Sequence, residues 1–190
     1  SVHCYRELQM TYVSDVEATF DLATRGGAEV LGTDVDGLPL RILSHKDAAA
    51  VMALVQASRE HLTPHGDYTD LVDRDLAAHG AALEQADEEP FGVFLKDELV
   101  GIVSLIHYGN GVFGLGYWIG AAYRGRGLMT EAIAAVIRFA RDSRNAVAIW
   151  AGIKPVNSAS CHLVDRLGFR LAREQDTHLS YCLDVATWRE

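Results

Sequence analysis

The stretch "YRGRGLMTEAI", residues 123–133, sets two arginines and two glycines directly before a run that reads as a helix. Met129, Ala132, Ile133, Val136, Ile137 and Ala140 recur at i, i+3, i+4, i+7, i+8 and i+11, which makes one apolar stripe. Glu131, Arg138 and Arg141 lie off the stripe, the cations toward the C-terminus, where the helix dipole favours them. Arg124, Gly125, Arg126 and Gly127 therefore stand at a helix N-terminus. The first amides of a helix have no internal acceptor and carry partial positive charge. Glycine removes the side chains that would keep a ligand away from them. Such a junction is built to hold an anion, and a pyrophosphate fits best. It is not a P-loop, because no lysine follows Gly127. Nor is it a dinucleotide fingerprint, which needs a third glycine within an early βαβ unit.

A second stretch, "PVNSASCHLVDRLGFR", offers a hydroxyl. Asn157 is a preferred N-cap, so a helix begins near Ser158 and carries Ser160 on one face with Leu163, Val164 and Leu167. A hydroxyl on an inward stripe needs a partner, either a ligand or its own helix backbone. Asn157 serves as a cap alone, or also contacts a ligand or orders a water. A third group, "REHLTPHGDY" (residues 59–68), gathers Glu60, His61, His65 and Asp67, any of which can take a proton. His107 ends an apolar run and is a further candidate. The eight histidines and three cysteines show no metal-ligand spacing, so no metal is expected.

These groups need a frame. Residues 38–44 read as a strand, 45–60 and 70–87 as helices, with Val72, Leu76, His79 and Leu83 on one face of the second. His79 reads as a packing residue. Strands follow at 90–96, 99–108 and 112–120, with turns at Asp97-Glu98 and at Gly109-Asn110-Gly111. Then come a helix (127–141), a strand (146–153), a helix (158–167) and strands at 168–172 and 178–184. The order βααβββαβαββ puts a meander before a β-α-β unit, which implies a mixed sheet with helices on both faces. Residues 25–37 read as a loop. Residues 1–33 form an N-terminal extension, with a strand at 5–13 and a helix at 14–23. It is too short to fold alone and packs on the domain of residues 34–190 or on a second copy, so a homodimer stays open.

With 17 Lys plus Arg against 26 Asp plus Glu, the 190-residue chain carries a formal net charge of −9. That surface repels phosphate backbones, which argues against nucleic acid, and mildly attracts cationic substrates. No apolar stretch approaches the ~20 residues that span a bilayer, so no membrane is expected. Few, unpaired cysteines suit a reducing, cytoplasmic setting.

The glycine-rich junction resembles the acyl-CoA-binding motif of the GCN5-related N-acetyltransferases, (Q/R)-x-x-G-x-(G/A). Arg124 takes its first position and Gly127 its central glycine, while Met129 stands where glycine or alanine is usual. Asn157, Ser160 and Leu167-Gly168-Phe169 resemble the N-x-x-S…LGF signature of the ribosomal-protein N-terminal acetyltransferase branch, as do "LPLRILSHKDA" and "GYWIGAAYRGRG". The resemblance covers roughly residues 38–184.

It implies a mixed α/β fold of the GNAT type: a central, mostly antiparallel mixed sheet, helices on both faces and a splay at the acyl-CoA site. It implies acetyl-CoA as co-substrate. Its pyrophosphate would lie on Arg124, Gly125, Arg126, Gly127, Leu128, Met129 and Thr130. The pantetheine and carbonyl would meet backbone amides around Trp118, Ile119 and Gly120. Ser160 would protonate the leaving thiolate, with Asn157 beside it. The acceptor would be a primary amine of a small molecule or of a peptide or protein N-terminus. The branch often carries a glutamate just before "GYW"; Gly114-Leu115 stand there instead, so a base must come from Glu60, His61, His65, Asp67, His107 or water. Other acyl-CoA chemistry, or a non-catalytic acyl-CoA-binding domain, are the alternative readings.

Overall fold

The computed structural model of the chain describes residues 30–64 and 68–189. The strand and helix expected within residues 1–24 lie outside the described residues, as do His65 and Asp67.

An eight-stranded sheet forms the centre, in the order β1-β2-β3-β4-β5-β6-β8-β7. Its strands are β1 (Val30–Leu31), β2 (Leu40–Ile42), β3 (Glu88–Leu95), β4 (Glu98–Gly109), β5 (Val112–Ile119), β6 (Ala148–Ile153), β7 (Arg170–Glu174) and β8 (Leu179–Asp184). β1 falls inside the stretch read as loop, where Val30 pairs with Arg41. Every neighbouring pair is antiparallel except β5 and β6. The β3–β4 turn is tight, with Lys96 and Asp97 both at positive φ (51° and 67°), one residue earlier than expected. Gly109, Asn110 and Gly111 turn β4 into β5 with three positive φ values, as their spacing predicts.

Helix α5 (Leu128–Arg144) buries all six residues of its predicted stripe, and Leu128, Ala135 and Phe139 besides. It shares one face of the sheet with α6 (Ser158–Arg166), over a core that includes Phe91, Val103, Leu115, Ile149 and Phe169. The opposite face is covered by α1 (Ala48–Ala57), α2 (Arg59–Leu62), α3 (Thr69–Val72) and α4 (Leu76–Ala82), over Leu43, Val51, Ile102 and Trp118.

Two expected helices are broken, each at a side chain that prefers a non-helical partner. At Ser58 (φ −114°) the chain leaves α1, and its buried Oγ accepts the amide of Ala121 at 3.2 Å. Asp75, extended at φ −78° and ψ 176°, accepts the amide of Ala78 at 2.8 Å and starts a fresh helix. The restart changes the helical phase. Val72, His79 and Leu83 are buried as expected, but Leu76 points out, 49% exposed.

Candidate active site

The junction before α5 is shaped by backbone conformation. Gly125 and Gly127 adopt φ of 69° and 77°, the left-handed region that disfavours side chains. A Cβ at either position would meet nothing within 4 Å, so the backbone there faces open space. Gly127 is the N-cap, and its carbonyl is the first acceptor in α5, taken by the amides of Thr130 and Glu131. The amides ahead of Thr130 therefore have no intrahelical acceptor. A row of outward amides at a helix dipole's positive end fits a pyrophosphate. Arg124 and Arg126 are exposed beside it, and Met129 is buried in the core (6% exposed), so its bulk lies away from the anion's side.

Next to this loop the sheet opens. β5 pairs with β6 only from Val112 to Gly114, the last register being Gly114 with Trp150. Beyond that β5 runs on with β4 to Ile119, and β6 runs on with β8 to Ile153, so the two part. The amide of Gly120 donates to Val100 on β4 at 2.7 Å. Because a residue's N–H and C=O share one side of a strand and alternate between neighbours, Trp118 also turns its amide to β4. Of the amides expected in the splay at residues 118–120, only that of Ile119 faces it, joined by that of Tyr117.

A single cleft of about 960 Å³ runs from this loop through the splay. Residues 124–130, Trp118, Ile119, Asn157 and Ser160 border it, together with Glu60 and His61. Asn157 caps α6, its Oδ1 accepting the amide of Ser160 at 3.2 Å. That cap leaves the Ser160 hydroxyl half-buried on the cleft wall, and no hydrogen bond joins it to another described residue. Val164 and Leu167, on the rest of its predicted face, are buried in the core.

His107 stands elsewhere. Its Nε2 meets Glu89 Oε2 at 2.9 Å, and Arg144 grips the same carboxylate through Nη2 at 2.6 Å and Nε at 3.1 Å. It pairs with Phe113, six residues down β5 from Ile119, about 20 Å at ~3.4 Å per residue. It closes a buried ion network at the far end of the sheet and does not border the cleft. Burial alone would raise the carboxyl of Glu89, but the hydrogen bonds from His107 and Arg144 outweigh it and hold that carboxyl below its ordinary value.

The cleft also contains residues that the sequence reading passed over. Tyr117, in "GYWIG", donates its hydroxyl to the Ser160 carbonyl at 3.3 Å, and burial pushes its phenol well above the ordinary range, so it stays protonated. Tyr68, the last residue of "REHLTPHGDY", donates to the Tyr117 carbonyl at 2.6 Å. His162 and Arg166 border the cleft from α6. Their i, i+4 spacing from Ser158 and on to Arg166 was the available signal, since one helical face continues along the cleft.

The acetyltransferase (GNAT) domain family matches residues 38–170. Among curated relatives, a probable N-acetyltransferase of Bacillus subtilis, YjcK, is 35% identical over 92 residues, 46% of this chain and 51% of the relative. The [ribosomal protein uS5]-alanine N-acetyltransferase of Escherichia coli is 34% identical over 105 residues, 53% of each chain. The chain thus spans about half the length of these curated relatives. Among solved structures, Mycobacterium smegmatis RimJ in complex with CoA-disulfide superposes with a TM-score of 0.67 at 21% identity, over 83% of this chain and 88% of that one. At that identity the likeness is one of fold.

Proposed function

The chain belongs to the GNAT acetyltransferase family, and on that footing we propose that it transfers an acetyl group from acetyl-CoA to a primary amine by direct attack. One observation carries the reading. The left-handed glycine junction, the splay and the Ser160 hydroxyl, which has no hydrogen-bond partner among the described residues, open into one cleft, so the anion-holding and reacting parts of a long donor have a continuous path.

In this scheme the amides ahead of Thr130, with Arg124 and Arg126, hold the pyrophosphate. The amides of Tyr117 and Ile119 polarise the thioester carbonyl, where negative charge develops during attack. As the C–N bond forms and the C–S bond breaks, the amine gives up one proton and the thiolate gains one. Ser160 supplies the latter, and Asn157 holds the turn that presents it. Glu60 and His61 border the acceptor side and are the candidates to take the former. The acceptor is a small-molecule amine or a peptide or protein N-terminus. The matched ribosomal-protein acetyltransferase supports the second, and the −9 surface suits a cationic acceptor of either kind. Among the described residues no helix is long and apolar enough to cross a membrane. The extension expected over residues 1–33 ends in Val30 and Leu31, which join the sheet of the catalytic domain beside β2, and a homodimer built on the part before them belongs to the proposal.

Titration calorimetry with CoA, together with thiol release from acetyl-CoA in the presence of small amines and peptides, tests the reading. Micromolar-range CoA binding with amine-dependent thiol release is expected. Absence of CoA binding in folded protein would remove it.

A further inference from the structure

Tyr68 ends the α2–α3 connection, 49 residues from Tyr117, yet its hydroxyl lies 2.6 Å from the Tyr117 carbonyl. The separation is short for an O–H···O hydrogen bond. The Tyr117 carbonyl shares its side of β5 with the Tyr117 amide, and that side faces the splay, because Gly120 turns its amide the other way to Val100. The Tyr68 oxygen therefore sits beside one of the two amides that face the parted strands, within the cleft that Ser160 also borders. The α1–α2 junction is tied to the chain just past the end of β5, where Ser58 Oγ accepts the Ala121 amide.

A phenol has one proton. Once Tyr68 has donated it to Tyr117, the oxygen offers only lone pairs to anything else that reaches it. A group meeting that oxygen must bring a hydrogen. A primary amine can do so and still react, because its lone pair is separate from its N–H bonds. We propose that Tyr68 receives the acceptor amine: its oxygen accepts one N–H and so turns the nitrogen lone pair toward the acyl carbon. The bond-making step is the one given above, with Tyr68 neither gaining nor losing its proton. This assignment rests on the acetyltransferase reading and names a residue of the acceptor side, suited to a nucleophile that carries a hydrogen on the attacking atom.

The test is Tyr68→Phe, which keeps the ring and removes the hydroxyl, set against Ser58→Ala, which loosens the neighbouring α1–α2 junction at Ala121 and leaves the Tyr68 hydroxyl in place. Methylamine and a tripeptide with a free N-terminus serve as acceptors. CoA affinity is read by calorimetry and acetyl-CoA KM by steady-state kinetics. For Tyr68→Phe, amine kcat/KM should fall ten- to a hundredfold, with CoA affinity and acetyl-CoA KM within twofold of wild type. Ser58→Ala should lower amine kcat/KM less than threefold. Unchanged amine kinetics in Tyr68→Phe overturns the proposal. So does an equal loss in Ser58→Ala, or a matching loss of CoA affinity, since either would make the tyrosine a strut for the loop or for β5. A wild-type protein that binds CoA but accelerates transfer to neither amine overturns the catalytic reading itself, and this role with it.

Discussion

Gly127 gives the sharpest test of the anion site, because backbone strain and charge can be separated there. Its φ of 77° costs any L residue about 1–2 kcal/mol in stability. Its missing Cβ would meet nothing within 4 Å, so neither alanine nor glutamate adds a clash. Gly127→Ala and Gly127→Glu therefore carry similar strain and differ mainly in one carboxylate at the mouth of the amide row. A unit charge ~5 Å from a pyrophosphate with two negative charges is repelled by roughly 1.7 kcal/mol in bulk water, and by about twice that at half the dielectric constant. Since ~1.4 kcal/mol is tenfold, CoA should bind the glutamate variant about fifteen- to three-hundredfold more weakly than the alanine variant. The gap should narrow at ~1 M salt, where the screening length is only ~3 Å. Calorimetry at ~50 mM and ~1 M salt reads both effects, with thermal melts to show that the variants are equally folded. Equal CoA affinities for the two variants at low salt would refute the placement of the anion.

Ser160→Ala should leave CoA affinity nearly intact and lower kcat by about 10²–10⁴, the usual share of general acid–base assistance; steady-state kinetics under chemistry-limited conditions check it, and a kcat within about twofold would shift the role to Asn157 and a water. His107→Ala should cost about 1–3 kcal/mol by removing one hydrogen bond from the buried Glu89 carboxylate, which Arg144 still holds, with CoA affinity unchanged in the folded protein, read by urea unfolding and calorimetry. Glu89 is held below its ordinary carboxyl value in the folded state, so its contribution is present above the unfolded value and lost as pH falls through the folded one. The stability gap between wild type and Glu89→Gln should accordingly shrink from pH 7 to pH 3.5 in urea titrations.

What could be read from the chain divides by the range of the interactions involved. The α5 stripe is local: six apolar residues at helical spacing need only one sheet face to cover them, and all six are buried. Gly125 and Gly127 are local as well, since a chain entering a helix through positive φ needs glycine there whatever lies opposite. Ser58 escaped because helix propensity says nothing of a competing donor, and Ala121, whose amide donates to it, is 63 residues away, whereas the Asp75 cap on Ala78 is local and was legible as an N-cap. His107 carried no mark of its partners, because Glu89 and Arg144 reach it from a different strand and from the end of α5. The three glycines at 114, 116 and 120 mark no bulge, since β5 keeps an unbroken register with β4 from Phe113 to Ile119 and the splay arises where it leaves β6 after Gly114. Which amides enter the splay, however, depends on register against β4, and one residue of slip would exchange Trp118 for Tyr117.

That division follows the chemistry proposed for the cleft. The donor side is made of helix starts: Gly127 before α5 and Asn157 before α6, each specified by two or three adjacent residues. Its ligand is a fixed, anionic shape, and local backbone geometry is enough to hold it. The acceptor side rests on a contact between distant segments, Tyr68 with Tyr117, reached from the short helices that cover the opposite face of the sheet. Such contacts can be exchanged without disturbing the glycine junction, because no residue of α1–α3 contributes to the anion-binding backbone. Differences in acceptor between proteins that keep the same donor site are therefore expected to concentrate in residues 58–68 and in the side chains facing them across the splay.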